Sequence, residues 1–337
     1  MKFLSFFLLI FFVSSKLWAQ NYLPKKPIFA ASINPIYQIL LAITKDQNSS
    51  RLIIKPNFSE HDYQLKKSDV QNLLQADLIF FVDENLEKNL TKFIRQKKSY
   101  QLSKINKIKL LAQRDITKLE NTNFNKDQKS ISNEATRSAT HSKEISFVSN
   151  QSPSSNSKST QIRRKSNLIE HNSKKTDLHL WLNPQNAIKI AEFMAQKICE
   201  IDANNCQKYQ DNLAEFSKDV EKTANKIAQN LEKTKGKNYV FYHDGYQYFE
   251  DYFGLNPLMV VSNNHELGIL KFKRFSQLAK TIKIECLFGD IYDEKNSAKN
   301  LAKQNNIPFA KLDLLGQNGN YQDLILKISK EIVFCLG

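Results

Sequence analysis

The histidines are the residues of this chain that could most clearly bind a metal ion. There are six of them among 337 residues. His61 stands between two acids in S-E-H-D-Y, His179 lies in D-L-H-L-W-L, and His243 ends N-Y-V-F-Y-H. Neutral imidazole is the commonest metal ligand near neutral pH, and three imidazoles completed by a carboxylate or water form a tetrahedral zinc site. Their spacing matches no short zinc motif, so a shared site and three unrelated histidines both stay open.

The apolar pattern indicates which elements would position these histidines. Short continuous apolar runs alternate with segments whose apolar residues recur at helical spacing, as in βαβ units around a parallel sheet. His61 comes after the run 51–56, and His243 ends the run 238–243. Ligands of open α/β sheets bind beyond the carboxyl ends of the strands. We therefore expect these histidines and His179 to reach one crevice. The other runs are 27–33, 76–82, 258–262, 285–290 and 308–312.

Two helices are predicted between the two groups of strands. Pro184 suits the first turn of a helix that runs to about Cys199. Apolar residues at spacings of three and four predict a second, longer helix that Gly236 would end. We assign 20–203 to a first α/β lobe, 204–235 to a linking helix and 236–337 to a second α/β lobe.

A polar insert interrupts the first lobe at about 114–176. Ser, Asn, Thr, Lys and Gln dominate it, and its few apolar residues cannot offset the entropy of ordering the chain. We predict a disordered surface loop. His141 and His171 belong to this segment, and we expect neither to bind metal.

The first residues have the layout of a secretory signal peptide. Lys2 precedes an apolar run over 3–13, and a small residue, Ala19, stands at the expected cut. The run is too short to span a bilayer. We predict cleavage after Ala19 and a mature chain that is not inserted in the membrane.

Charge and cysteine content limit the classes of protein to which the chain could belong. The formal net charge is +15, but Lys is spread along the chain without a nucleic-acid motif, so we predict no nucleic-acid binding. An even number of cysteines in an exported chain fits disulfides. Three pairings are open for Cys199, Cys206, Cys286 and Cys335.

Five stretches resemble, in the same order, the periplasmic zinc-binding components of bacterial ABC importers, the ZnuA type of the metal-binding solute-receptor family. They cover most of the predicted mature chain except the insert. The stretches are S-E-H-D-Y-Q-L-K-K-S-D (59–69), A-D-L-I-F-F-V (76–82), L-H-L-W-L-N-P-Q-N-A (178–187), F-Y-H-D-G-Y-Q-Y-F-E-D-Y-F-G-L (241–255) and L-D-L-L-G (312–316).

The resemblance implies a fold and a ligand. The fold is two α/β lobes, each with a central parallel sheet flanked by helices, joined by one long rigid helix. The metal lies in the cleft between the lobes, bound by His61, His179 and His243. Manganese-selective relatives carry a carboxylate where this chain has His243. Three nitrogens make a softer site, so Zn²⁺ is the expected ligand and Mn²⁺ the second candidate.

The resemblance also bears on the residues around these ligands. Glu60 or a water would complete the zinc shell, and Asp313 in L-D-L-L-G is the alternative fourth ligand. Asp62 and Asp244 each follow a histidine directly, and either could orient its imidazole or have only a solvated or helix-capping role. His265 is a further candidate if its loop faces the cleft.

Three features depart from, or refine, the family pattern. The insert, often rich in His and Asp in zinc-binding relatives, has twelve Lys/Arg against six Asp/Glu between 114 and 175, so we expect no metal-gathering role. Asp290, in F-G-D-I-Y-D, stands where Glu is usual. Cys286 and Cys335 match a disulfide of the zinc-binding relatives, which leaves Cys199 to pair with Cys206.

The functional expectation is a binding module. The chain would capture Zn²⁺ in the periplasm as a monomer and deliver it to an inner-membrane ABC permease and its ATPase. The alternatives are a manganese receptor of the same family, a zinc hydrolase with Glu60 as base, and an additional adhesive role for the basic insert. We expect no enzymatic activity.

Overall fold

The computed structural model describes residues 26–46, 49–59, 63–114, 175–262 and 268–337. Two four-stranded sheets, each entirely parallel, form its centre. The structure therefore confirms the predicted α/β class with two parallel sheets flanked by helices. The predicted signal peptide, residues 1–19, lies outside the described residues, as does 115–174 of the insert.

The first lobe consists of the described residues up to Cys199, around a sheet with the strand order β2-β1-β3-β4. Each of the strands β1 and β3 is completely buried, as expected for apolar runs in the middle of a parallel sheet. The strands are β1 (Phe29–Ala31), β2 (Ser50–Leu52), β3 (Leu78–Phe81) and β4 (Ser99–Gln101), and the helices are α1 (Asn34–Thr44), α2 (Lys67–Gln75), α3 (Thr91–Ile94) and α4 (Pro184–Cys199).

Strand β4 is the strand of this lobe that the apolar pattern did not predict. It is a three-residue edge strand, S-Y-Q, and all its residues are only half-buried. A polar strand of this length has neither a continuous apolar run nor enough residues to show alternation.

The second lobe consists of the described residues from Tyr239 onward, around a sheet with the order β6-β5-β7-β8. The predicted runs correspond to its four strands within one or two residues. The strands are β5 (Tyr239–His243), β6 (Met259–Ser262), β7 (Cys286–Asp290) and β8 (Phe309–Leu312), and the helices are α6 (Gln247–Phe253), α7 (Ile269–Thr281), α8 (Ser297–Gln304) and α9 (Tyr321–Leu336).

The predicted long helix is present as α5 (Cys206–Leu231), 26 residues long, which corresponds to about 39 Å. A short 3-10 turn (Glu232–Thr234) extends it, and Gly236 follows with φ +77°. Its buried stripe includes Phe216, Val220 and Ile227. The helix packs against α1 and α4 of the first lobe and α9 of the second. That α5 is a rigid link between the two lobes stays a prediction.

The two lobes share one apolar core in addition to this helix. Trp181 is fully buried in it. The indole Nε1–H donates to Leu314 O at 2.9 Å, and Tyr321 Oη–H donates to Trp181 O at 2.8 Å. The short turn that follows His179 is thus fixed to the second lobe through Trp181.

Both implied disulfides are present. Cys199 is bonded to Cys206 between α4 and α5, and Cys286 is bonded to Cys335 between β7 and α9. The first closes the turn between two consecutive helices, whereas the second fastens the last helix to a central strand.

The described residues on either side of the insert form an antiparallel pair. Ala112 bridges Thr176, and Gln113 N–H donates to Lys175 O at 2.7 Å. The two described segments therefore meet beside the insert, and the described residues include Arg114, Lys175 and Thr176 from its predicted range. Within the described ranges, none of the helices combines the length and apolar character needed to cross a bilayer.

Candidate metal centre

His179 is held at the start of a tightly packed turn. The 3-10 turn Leu180–Leu182 follows it and is fully buried. Asn183 then caps α4 by accepting hydrogen bonds from the N–H groups of Gln185 and Asn186 at 2.9 and 3.2 Å, with Pro184 in the first turn. Because this turn is anchored on both sides, the backbone of His179 has a fixed position.

A carboxylate orients the ring of His179. Asp177 Oδ1 lies 2.8 Å from His179 Nδ1 and also accepts the His179 backbone N–H at 3.0 Å. Burial alone would raise the pKa of Asp177, but the charge and hydrogen bonds of His179, with a contribution from Arg114, hold that pKa below its usual value. An ionised Asp177 favours the tautomer with the proton on Nδ1, which leaves the Nε2 lone pair for a metal ion.

His243 is held in the same way at the carboxyl end of β5. Its Nδ1 lies 2.5 Å from Oδ2 of Asp290, the last residue of the neighbouring strand β7. The other oxygen of Asp290 accepts a short hydrogen bond from Tyr246 Oη–H. Burial and the Asp290 charge raise the pKa of Tyr246 well above its usual value, so the phenol stays protonated. A side chain at Gly245 would come within 3.0 Å of the imidazole, so this position favours glycine.

The structure brings His179 and His243 together. Their ring centroids are 5.4 Å apart, with the planes at 82°. His179 is 5 % exposed and His243 is 1 % exposed. Rings at this separation can direct both Nε2 atoms to one ion, for which each Zn–N distance would be about 2.0–2.1 Å. Two buried nitrogens from two lobes, each with a carboxylate on the other nitrogen of its ring, could act as two ligands of one metal ion.

The described residues do not complete a metal site by themselves. Within 26–46, 49–59, 63–114, 175–262 and 268–337, no group of three or more His, Cys, Asp or Glu side chains is arranged to hold an ion. The predicted third histidine, His61, with Glu60 and Asp62, lies outside these residues, and so do His265, His141 and His171. Their assigned roles stay predictions.

Asp313, the alternative fourth ligand, uses its carboxylate to fold its own loop. Oδ1 accepts the N–H groups of Leu315 and Gly316 at 3.1 and 2.8 Å, and Oδ2 accepts the N–H of Gln317 at 2.8 Å. The hydroxyl of Tyr292 lies 2.8 Å from Asp313 Oδ1. Both oxygens therefore already accept hydrogen bonds, and the carboxylate shapes its own loop. Direct binding of the metal by Asp313 stays a prediction.

Tyr292 also connects this loop to the chain that leads to His61. Its hydroxyl lies 3.1 Å from Pro56 O in the first lobe. Pro56 follows β2 and precedes His61 by five positions. The second lobe therefore contacts the first lobe at a residue that precedes the expected third ligand by five positions in the chain.

Asp244 was one candidate for orienting an imidazole, and in the structure its partner is Arg114. Its Oδ1 accepts from Arg114 Nε at 2.9 Å and from Arg114 Nη2. The carboxylates on the described imidazoles are Asp177 and Asp290.

Sequence reasoning gave neither Asp177 nor Asp290 this role, although weak signals existed. Asp177 precedes His179 by two residues, and Asp290 ends an apolar run, as His243 does. Neighbouring parallel strands end at the same edge, so a carboxylate at the end of one strand can meet a histidine at the end of another. The strand order, which the sequence did not supply, decides that β5 and β7 are neighbours.

Fold and site together define a two-lobed α/β protein with one histidine of a candidate metal site in each lobe. Residues 30–335 match the family model described as zinc-uptake complex component A, periplasmic, ZnuA. Since the match covers most of the chain, the protein belongs to this family.

Relatives and solved structures agree with this assignment. The high-affinity zinc uptake system protein ZnuA of Yersinia pestis is 25% identical over 312 residues, covering 90% of each chain. Its counterpart in Haemophilus ducreyi is 26% identical, covering 90% of this chain and 92% of the relative. A crystal structure of ZnuA superposes with a TM-score of 0.68 at 15% identity, over 93% of this chain and 100% of that one. An Mn-bound periplasmic metal-binding protein from Candidatus Liberibacter asiaticus gives 0.65 at 17%, with the same coverage. At these identities, the structural likeness concerns the fold alone.

Proposed function

We propose that the protein captures Zn²⁺ in the periplasm and delivers it to an inner-membrane ABC permease and its ATPase. The observation that carries this proposal is the pair of buried histidines, His179 and His243, with ring centroids 5.4 Å apart and a carboxylate on Nδ1 of each. Membership in the zinc-uptake family and the names of the relatives support zinc as the ligand. Binding requires no turnover, and we expect no catalysis.

His61 is the proposed third ligand, and Glu60 or water is the proposed fourth. The contact between Tyr292 and Pro56 supports this, because it brings the chain before His61 against the second lobe. Three imidazole nitrogens suit Zn²⁺ better than the harder Mn²⁺ ion, which prefers oxygen ligands. We propose that the receptor acts as a monomer after removal of residues 1–19.

The test is a metal titration of residues 20–337 after removal of bound metal with a chelator. Zn²⁺ should bind more tightly than Mn²⁺. His243→Ala should weaken Zn²⁺ binding strongly, whereas His141→Ala, in the insert, should leave it unchanged. Tighter binding of Mn²⁺ would exclude the zinc assignment, and equal effects of the two substitutions would exclude the ligand set.

A further inference from the structure

The two ends of the insert are fastened to the second lobe. We call residues 109–114 and 175–177 the insert stem. Leu111 N–H donates to Tyr248 Oη at 3.0 Å, and the Tyr248 hydroxyl in turn donates to Asp177 O at 2.8 Å. Asp177 N–H donates to Leu111 O at 2.9 Å. Both arms of the stem, which belong to the first lobe, therefore meet one side chain of helix α6.

Arg114 adds a buried charge contact to this junction. Its Nε donates to Asp244 Oδ1 at 2.9 Å, and its Nη1 donates to Glu250 Oε2 at 2.5 Å. The side chains are 16 %, 3 % and 5 % exposed, in the order Arg114, Asp244 and Glu250. A planar guanidinium can serve two carboxylates at once because its N–H groups form a fixed fork. In contrast to a solvated surface pair, this contact cannot be removed without leaving a buried charge uncompensated.

Arg114 and its stem contact residues that lie close to both histidines in the chain. Asp244 follows His243 in the chain, and its N–H donates to Ser262 O at 2.9 Å, which fixes the end of β5. On the first lobe, the arm of the stem that carries Arg114 is bonded to Asp177, whose N–H donates to Leu111 O at 2.9 Å, and Asp177 is the carboxylate that orients His179. Arg114 thus joins this arm of the stem, which is bonded to Asp177, to Asp244, the residue that follows His243.

We infer that Arg114 is a positioning residue for the histidine pair, which fastens the insert stem to Asp244 and Glu250 and so fixes the distance between His179 and His243. Its role in zinc affinity rests on the proposed function above. Its role in fastening the stem to the second lobe does not, because that contact is made by protein groups alone.

Substitutions at Arg114 separate its charge from its geometry. Arg114→Gln leaves Asp244 and Glu250 without a cation, so the two lobes lose their attraction at this point. Arg114→Lys restores the charge, but an ammonium group cannot reproduce the fork between two carboxylates. Lys109→Gln is the matched control. Lys109 lies on the same stem and pairs with Asp251 of helix α6 at 2.6 Å, but in an exposed position.

The experiment measures the zinc dissociation constant of these variants by competition with a chromogenic chelator. It also measures hydrogen exchange of residues 109–114 without metal, and thermal midpoints. We expect Arg114→Gln to weaken zinc binding about tenfold, at the lower end of the range for groups that support metal ligands. Arg114→Lys should give an intermediate loss, and Lys109→Gln should stay within twofold of the wild type. Exchange in the stem should become faster in Arg114→Gln and stay unchanged in Lys109→Gln.

Three outcomes would overturn the inference. These are wild-type zinc affinity in Arg114→Gln, an equal loss in Lys109→Gln, and a lower thermal midpoint of Arg114→Gln with unchanged affinity well below that midpoint. The last would mean that Arg114 only stabilises the fold. If the wild type itself does not bind zinc, the proposed function fails, and hydrogen exchange of the metal-free stem still decides whether Arg114 holds the junction.

Discussion

Asp290 Oδ2 lies 2.5 Å from His243 Nδ1, although 47 positions separate the two residues in the chain. They meet because β5 and β7 are adjacent parallel strands. Neither residue is more than 1 % exposed. Tyr246 donates to the other oxygen of Asp290, so the carboxylate is fixed from both sides and the ring of His243 has one favoured orientation.

Replacement of Asp290 should therefore weaken metal binding without removing a ligand. We expect Asp290→Asn to bind zinc about 10–100-fold more weakly, because an amide orients the imidazole less firmly and does not raise its basicity. The measurement is a zinc competition titration. Asp251→Asn, which removes an exposed carboxylate of α6, is the control. Equal affinities of wild type and Asp290→Asn would show that this contact does not act on the metal.

Trp181 should report metal binding directly. Its ring centroid lies 5.4 Å from that of His179, and the chain has two Trp, of which Trp18 belongs to the predicted signal peptide. We expect zinc to change the fluorescence of the mature protein, since an ion on His179 alters the electrostatic environment of the indole. His179→Ala should abolish this change and His171→Ala should preserve it. A zinc-dependent signal that survives in His179→Ala would contradict the assignment of this ligand.

Glu87 should make stability fall as pH rises. It is 2 % exposed, and it accepts hydrogen bonds from Ser32 Oγ–H and from the N–H groups of Val82 and Asp83. Burial nevertheless raises its pKa from 4.5 to about 7. Between these two values the folded state keeps a proton that the unfolded state has released, so folding loses stability as pH increases through this interval.

The size of this effect should be about 3 kcal/mol, from about 1.4 kcal/mol for each pKa unit. The free energy of unfolding, measured in denaturant between pH 4.5 and 8, should fall with pH by about this amount in the wild type. In Glu87→Gln this part of the pH dependence should be missing. Glu84→Gln is the control, because Glu84 is exposed and its pKa is lowered by a hydrogen bond from Arg95. If wild type and Glu87→Gln have the same pH dependence, the pKa of Glu87 is not raised in the folded state.

The two disulfides should differ in how much they stabilise the fold. The Cys286–Cys335 bond closes a separation of 49 residues and the Cys199–Cys206 bond a separation of seven. On the chain-entropy model, their contributions to the free energy of unfolding are about 4 and about 2 kcal/mol. Unfolding of the two double-alanine variants in denaturant measures both. A larger loss on removal of the Cys199–Cys206 bond would contradict this order.

Removal of the insert should leave zinc affinity intact. Ala112 and Thr176 form an antiparallel bridge, so a short Gly-Ser linker between Arg114 and Lys175 can close the chain without moving the stem. A cationic segment repels Zn²⁺, so we expect affinity within twofold of the full-length mature chain. A large loss of affinity or of loading rate in the shortened protein would assign the insert a role in metal capture.

The sequence was sufficient to predict most of the secondary structure. Continuous apolar runs can be buried on both faces only as strands covered by helices, and seven of the eight strands follow from them. Proline and asparagine mark the start of α4 because their side chains satisfy the geometry of a first helical turn. Strand β4 could not be predicted, because its three half-buried residues belong to the sheet only through their pairing with β3.

The candidate site could be predicted only in part. His179 and His243 stand beside the ends of predicted elements, and their residue type limits what they can do. The carboxylates that hold their rings, Asp177 and Asp290, and Arg114 at the insert stem have no such marking, since acids and cations are common on any surface. Asp244 lies next to His243 in sequence, yet its side chain extends to Arg114 instead.

The two cysteine pairs followed from the family resemblance. The sequence by itself determined the α/β class and the succession of strands and helices, and it marked the histidines as candidate metal ligands. Each of these depends on residue type and local order along the chain. The tertiary structure alone decided that β5 and β7 are neighbours, that the rings of His179 and His243 lie 5.4 Å apart, and which carboxylate holds each ring. Those relationships depend on strand order and on the packing of one lobe against the other, and contacts between distant residues leave no periodic pattern in a single sequence.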